Sequence, residues 1–483
     1  MKVLFAASEI APFAKTGGLG DVAGSLPPAL ARLGLEVLLV MPLHRQVDRQ
    51  AHGLTNSGLT LGVPAGGRSY PATVWEGRLP GCRVFFLENQ ELFDRPALYG
   101  LPGGDFADNP LRFTWFCRGA IELARALDYK ARVVHAHDWQ TALLPAMLST
   151  GAWDPGPLAG AVTVLTIHNL AYQGIYPRPA FGLTGLPAWL DSPRGSEFWG
   201  NTSLLKAGLV TARALTTVSP TYAQEIQTPD GGHGLEGVLL ERRADLHGIL
   251  NGADYGQWSP EADPLLPAVF SAGDLAGKQT CRRALLETLG LEPAGPQTTV
   301  LGSVGRLAYQ KGVDLLPAAL PRLLLDDVRI CLLGSGEAQY EEPLKRLAAA
   351  YPGRLGLKLT FSEDLAHLIT AGCHALMMPS RYEPCGLNQI YALRYGTAPV
   401  VRATGGLKDT VLPFDPLTGQ GTGFVFDHFS PGELTCALRE ALWTKARPGL
   451  WDRLMQNAMA QDFSWQRSAQ AYASLYASLL GTV

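Results

Sequence analysis

Short apolar, β-branched runs alternate with longer stretches of helical spacing along almost the whole chain. In the first half the runs fall at residues 2–7, 36–40, 132–135, 162–167 and 214–218. In the second half they fall at 298–304, 328–333, 357–361, 375–378, 399–401 and 423–426. Most are continuously apolar rather than alternating, the pattern of a strand covered on both faces. Strand–helix alternation then predicts parallel sheets. A helix is expected over 21–33, after the first run. Gly-Gly and Pro-Gly turns separate short strands over 59–87, which predicts a β-rich insertion. The stretch 464–480 predicts an amphipathic helix, with Tyr472, Leu475, Tyr476 and Leu479 on one face.

The rhythm breaks at Asn251-Gly252, and Trp258-Ser259-Pro260 follows before a new helical run from Leu275. Two α/β domains are therefore expected, each a doubly wound sheet: 1–250 and 251–462, with a closing helix over 463–483. A length of 483 residues suits two such domains. Ligands of such sheets bind at the carboxyl ends of strands, and with two domains facing each other the cleft between them is the expected site.

Composition narrows the function. Hydrophobic residues make up 47% and charged residues 17%, which excludes disorder for the bulk of the chain. Forty basic and 43 acidic side chains give a net charge of −3 with no long run of either sign, which argues against nucleic acid or an anionic membrane as partner. No apolar run approaches the roughly 18 residues a membrane helix needs. The opening Met1–Glu9 meets an acid too soon for a signal peptide. Seven cysteines stand singly, without a CxxC pair, so neither a disulfide framework nor a structural zinc site is expected and a reducing cytoplasm fits best.

Four segments carry candidate chemistry. Lys15-Thr16-Gly17-Gly18 directly follows the first strand and opens a helix. Bare backbone there lets N–H groups approach an anion, and Lys15 adds a mobile charge. The competing reading is a plain turn that needs glycine for its geometry. In Gly305–Gly312, Arg306 and Lys311 can converge on one polyanion, a fork beside a point charge, and so neutralise a departing diphosphate without a metal. The competing reading is two solvated surface cations. Pro379–Leu387 caps another strand and presents Glu383 and Cys385, with Pro384 holding Glu383 extended. Glu383 either faces a sugar or is a helix N-terminal acid, and Cys385 is either part of the site or a packed thiol. Thr404-Gly405-Gly406 repeats the glycine-turn logic after the next strand. Finally, His135, His137, Asp138 and His168 stand at strand ends. His135 reads as a satisfied buried histidine, while strand-end position favours Asp138 and His168 for the site. A metal is discounted, because no further ligand cluster accompanies them.

Taken together these segments resemble the bacterial glycogen synthase and plant starch synthase family, glycosyltransferase family five. The resemblance covers nearly the whole chain. It rests on residues 15–22, 92–100, 137–139, 166–174, 205–208, 217–226, 251–252, 305–312, 383–387 and 391–407. It implies a GT-B fold: two Rossmann-like domains facing a central cleft, the last helix crossing back to the first. It also implies retaining transfer of glucose from ADP-glucose to the non-reducing end of an α-1,4-glucan, with no cofactor beyond that donor. By the same resemblance Lys15, Gly17 and Gly18 hold donor phosphate and meet the acceptor side. Arg306 and Lys311 bind the diphosphate. Glu383 lies at the donor glucose, with Cys385, Gly386 and Leu387 nearby and the Thr404–Gly406 turn beside them. Asp138, His168 and Asn251 contact glucose, His168 partly through its carbonyl, and Phe361 stacks on adenine.

The chain departs from the family pattern at Gln140, Ala253 and Asn388, which bears on fine donor or acceptor preference. Tyr391 stands where related GT-B families carry a second Glu. A front-face mechanism through an oxocarbenium-like state is therefore expected rather than double displacement. The alternatives are a same-fold nucleotide-sugar epimerase, a UDP-glucose-using transferase and a non-enzymatic glucan-binding protein. A diphosphate clamp argues against the last.

Overall fold

The apolar runs become strands of two separate sheets in a computed structural model that describes residues 1–101 and 103–481. The chain divides into two compact units. The first comprises Met1–Val218, Ala223–Gly252 and the final segment from Trp465; the second comprises Ser219–Tyr222 and Ala253–Ser464.

The large sheet of the first unit has nine strands. From one edge they are Leu246–Gly248, Ala214–Thr217, Val162–Ile167, Val133–His137, Lys2–Ala6, Glu36–Pro42, Cys82–Glu88, Arg68–Leu79 and Thr55–Ala65. The first seven run parallel, and the last two extend the sheet as an antiparallel hairpin. This corrects the expected insertion over 59–87. Its final strand pairs in parallel with Glu36–Pro42, because Val84–Leu87 is an unbroken apolar run buried on both faces. The first helix spans Gly18–Arg32, three residues earlier than its apolar spacing alone indicates.

The last helix, Trp465–Leu479, packs on the first unit's core. Trp465, Tyr472 and Tyr476 join Phe5, Val22 and Leu39 in one buried cluster. Each large side chain so buried contributes about 1.5–3 kcal/mol. Polar anchors fix its register: Ser468 Oγ donates to Leu250 O at 2.6 Å, and the Tyr476 hydroxyl meets His135 Nδ1 at 2.7 Å.

The second unit carries a six-stranded, wholly parallel sheet. Its order is Leu355–Lys358, Val328–Leu333, Thr299–Val304, Ala375–Met378, Ala398–Arg402 and Phe424–Phe426. Counted along the chain this is the doubly wound Rossmann order, 3-2-1-4-5-6. The strand expected over 357–361 is displaced to Leu355–Lys358. Ser362 ends the extended run by capping the helix Glu363–Gly372, its Oγ accepting from Leu365 N at 3.3 Å. Ser219–Tyr222 belongs to this unit, where Ser219 Oγ donates to Pro384 O and Thr221 Oγ1 to Asp409 Oδ1, both at 2.6 Å.

The parallel part of each sheet reverses its winding once. In the first unit the reversal lies between Lys2–Ala6 and Val133–His137; in the second it lies between Thr299–Val304 and Ala375–Met378. Connections leave such a point in opposite directions and open a crevice at the carboxyl ends of its two strands.

Candidate active site

The second unit's reversal point brings two of the sequence segments together. Gly305–Gly312 leaves one strand end and Pro379–Glu383 leaves the other. Lys311 Nζ donates to Glu383 Oε2 at 2.6 Å, and Ser380 Oγ donates to the same oxygen at 3.0 Å. Glu383 is buried and lies outside any helix, five residues before the helix Asn388–Arg394, so its reading as a helix N-terminal acid is set aside. The solvated-cation reading fails for Lys311 as well. An ammonium has three donors; one goes to Glu383, which leaves two for phosphate oxygens. Arg306 is exposed, and it lines one pocket with Gly305, Lys311, Ser380 and Asn388. Asn388 Nδ2 donates to Val304 O at 2.8 Å, tying the two segments at a second point.

The glycines of this unit serve the backbone of the site. Gly386 has φ +73°, a left-handed conformation that side chains rarely adopt. A Cβ on Gly405 or Gly406 would stand 2.0 Å from Glu383 O or 2.1 Å from Cys385 O. Gly406 N donates to Glu383 O at 3.0 Å. The Thr404–Gly406 turn is thus pressed against Glu383–Cys385 and supports it. Cys385 is buried, and Leu387 is half-buried at the N-terminus of Asn388–Arg394. Phe361 lies beyond its strand and is 82% exposed, apart from this cluster.

The first unit's reversal point holds a second cluster. Lys15, Thr16, Gly17 and Gly18 form an exposed turn, and Lys15 Nζ pairs with Asp21 Oδ1 at 2.9 Å. Gly17 is extended, with φ −164°, and a Cβ on Gly17 or Gly18 would meet nothing within 4 Å. Neither backbone geometry nor packing demands glycine there, so the plain-turn reading loses its reason. What glycine provides is open room along the backbone.

Sequence reasoning missed the residue that shapes this turn. Glu9 is buried, and its carboxylate accepts from Thr16 N, Gly17 N, Thr16 Oγ1 at 2.8 Å and the Tyr99 hydroxyl at 2.5 Å. Burial raises its pKa, against the lowering effect of those donors. Its place just past the first strand was the one signal in the sequence. Two of the turn's N–H groups therefore already face an internal carboxylate.

Asp138 follows the neighbouring strand, is buried, and takes a left-handed φ of +55°. Strained backbone of this kind collects at functional sites. Its Oδ1 accepts from His168 N at 2.7 Å, and Asn169 N donates to the same carboxylate. Burial lifts its pKa to about 7, and the charge of Glu9 adds to the rise. His168 Nε2 lies 3.0 Å from His137 Nδ1. His137 Nε2 is buried without a partner. An unpaired acceptor there is cheaper than an unpaired N–H, so His137 Nδ1–H is the donor and His168 carries its proton on Nδ1. Burial pushes the His168 pKa down to about 3, so its ring is neutral at neutral pH. His135 is satisfied at both ring nitrogens, by Tyr476 and by Thr166 Oγ1 at 2.6 Å. Asn251 is buried in this unit with Oδ1 unpaired.

The family model described as starch synthase catalytic domain matches residues 2–241, and the model described as glycosyl transferases group 1 matches 292–458. Over 481 residues the chain is 50% identical to a glycogen synthase of Anaeromyxobacter dehalogenans (strain 2CP-1), covering 99% of each. It is 49% identical to a glycogen synthase of Myxococcus xanthus, covering 99% of this chain and all of that one. Among solved structures it resembles the catalytic domain of starch synthase IV from Arabidopsis thaliana bound to ADP and acarbose. That match has a TM-score of 0.91 and 34% identity over 99% of both chains. The expected GT-B class, with two Rossmann-like domains, holds.

Proposed function

The chain belongs to the starch and glycogen synthase family of glycosyltransferases, and on that premise we propose that it transfers glucose, with retention, from ADP-glucose to the non-reducing end of an α-1,4-glucan and releases ADP. The observation that carries this reading is the Lys311–Glu383 contact beside a pocket that Lys311 and Arg306 both line. Arg306 and the two remaining Lys311 donors neutralise the diphosphate as it departs. No metal is needed for that step. Glu383, held by Lys311 and Ser380, accepts from donor glucose hydroxyls and offsets positive charge at the anomeric carbon. Cys385, Gly386 and Leu387 supply backbone around it, and Phe361 covers the adenine.

Lys15, with the open backbone of Gly17 and Gly18, meets phosphate and acceptor. Asp138, His168 and Asn251 contact glucose. Tyr391 adds no second carboxylate, so the acceptor hydroxyl attacks on the face from which the diphosphate leaves. The enzyme works in the cytoplasm, which fits seven cysteines spaced singly along the chain.

The deciding assay incubates the protein with glycogen and labelled ADP-glucose or UDP-glucose, in excess chelator. Incorporation of label with stoichiometric ADP release supports the reading. Labelled free sugar without glucan growth would make the protein an epimerase. Activity with UDP-glucose alone would overturn the donor assignment. Activity lost to the chelator and restored by a divalent ion would overturn the metal-free clamp.

A further inference from the structure

The guanidinium of Arg381 joins the segment that carries Lys311 to the segment that carries Glu383. From a position two residues before Glu383, it reaches across to Tyr309–Asp314, the stretch that brackets Lys311. Nη1 donates to Tyr309 O at 2.9 Å and to Asp314 Oδ1 at 2.8 Å, and Nη2 donates to Asp314 Oδ2 at 2.5 Å. The rings of Tyr309 and Phe429 lie 4.1 Å from its central carbon. Arg381 N also donates to Gln310 O at 2.9 Å. Backbone on its own side is pinned too, since Arg402 Nε donates to Ser380 O at 2.8 Å and Arg402 Nη2 to Arg381 O.

A solvated ion pair would leave the two loops free to drift, because such pairs hold one geometry weakly. This one is forked onto both oxygens of Asp314, is in contact with two rings, and its side chain is only 21% exposed. A planar fork in contact with rings fixes direction as well as distance. Lys311–Glu383 itself links the same stretches, and Asn388–Val304 links the residues that flank them.

We infer that Arg381 is a positioning residue that sets the placement of Lys311 against Glu383 for the transfer step. The inference rests on the roles proposed above for those two residues. Arg381 acts through the ammonium it places, and a misplacement of about 1 Å at such a group can cost about 10²-fold in rate. Lysine at this position keeps the charge but loses the fork and the planar face.

The test is a kinetic double-mutant cycle on the full chain, with melts beside it. Arg381→Lys and Asp314→Asn are each made alone and with Lys311→Ala, and kcat and the ADP-glucose KM are measured. Each single variant is expected to lose about 10-fold or more in kcat with KM changed less than about 3-fold, and in the Lys311→Ala background the loss should shrink below about 2-fold. An equal loss in both backgrounds would mean that Arg381 merely stabilises the unit, and the inference falls. If Lys311→Ala alone leaves kcat intact, the proposed function of Lys311 fails instead. Should Arg381→Lys not fold, the isosteric Asp314→Asn decides by the same comparison.

Discussion

Lys311 and Glu383 stand 72 positions apart and meet at 2.6 Å, the carboxylate almost wholly buried and the ammonium partly open. Breaking a buried pair by removing one partner usually costs about 3–5 kcal/mol, because the other charge is left uncompensated. Stability and turnover are therefore linked in these two residues, and melts must accompany rates.

Glu383→Gln should keep the fold, since an amide still accepts from Ser380 and Lys311. Its kcat should fall, and that of Glu383→Ala should fall further, by about 10²-fold or beyond. ADP affinity should change far less. A folded alanine variant with more than half the parent's kcat would remove Glu383 from the chemistry.

Arg306→Ala and Lys311→Ala should each lower kcat by about 10²–10³. They should differ in the melt. Arg306 is exposed and its loss should leave the midpoint nearly unmoved, whereas Lys311→Ala orphans Glu383 and should lower it by several degrees. Equal midpoints for the two variants would contradict the buried pair.

Asp138 should cost stability at high pH. Its pKa rises from 3.8 to about 7 on folding. Between those values the folded chain holds more protons at this group than the unfolded chain. The favourable contribution is thus complete below about 3.8 and is lost as pH climbs through about 7. Asp138→Asn removes this titration. Its thermal midpoint should exceed the parent's at pH 8, and the gain should disappear toward pH 4. A difference that does not vary with pH would rule the effect out.

Glu9→Gln should disturb the Lys15 turn, because it removes the charge that the Thr16 and Gly17 N–H groups donate to and puts an amide NH2 where Oε1 accepts from the Thr16 and Tyr99 hydroxyls. We expect kcat to fall by about 10-fold, on the scale of lost positioning, and ADP affinity to fall less. Tyr99→Phe removes a single donor and should cost less. A Glu9→Gln enzyme with normal kcat would reduce Glu9 to packing.

Tyr476→Phe should loosen the last helix by leaving His135 Nδ1 buried and unpaired. An unsatisfied buried group of this type costs about 1–3 kcal/mol. Calorimetry should register a midpoint drop of several degrees. No shift would mean that the hydroxyl contributes nothing to docking.

Much of the fold can be read from runs such as Val162–Ile167 and Val328–Leu333, because strands buried on both faces need no alternation to be recognised. The segments that follow Val133–His137, Thr299–Val304 and Ala375–Met378 carry Asp138, Lys311 and Glu383. The strand expected over 357–361 shows where the reading goes wrong. Leu355, Leu357, Leu359 and Phe361 alternate as a strand would, yet Ser362, the next residue, caps a helix and the strand ends at Lys358. Glu9 and Arg381 were hidden for another reason. Each acts on backbone or side chains that local spacing does not reveal, so only the folded arrangement shows what it holds. The strand Cys82–Glu88 was misplaced because the hairpin preceding it carries the turn signals of a separate insertion.

The return of Trp465–Leu479 to the first unit has a consequence for synthesis. Phe5, Val22 and Leu39 leave the ribosome early, but the helix that covers them is made only after the whole of Ala253–Ser464. At roughly 5–20 residues per second, that delay lasts about 10–40 s. For this interval a nascent first unit exposes an apolar strip to other chains. A chain cut at Ser464 would carry that exposure permanently, so aggregation should mark such a fragment before loss of catalysis does.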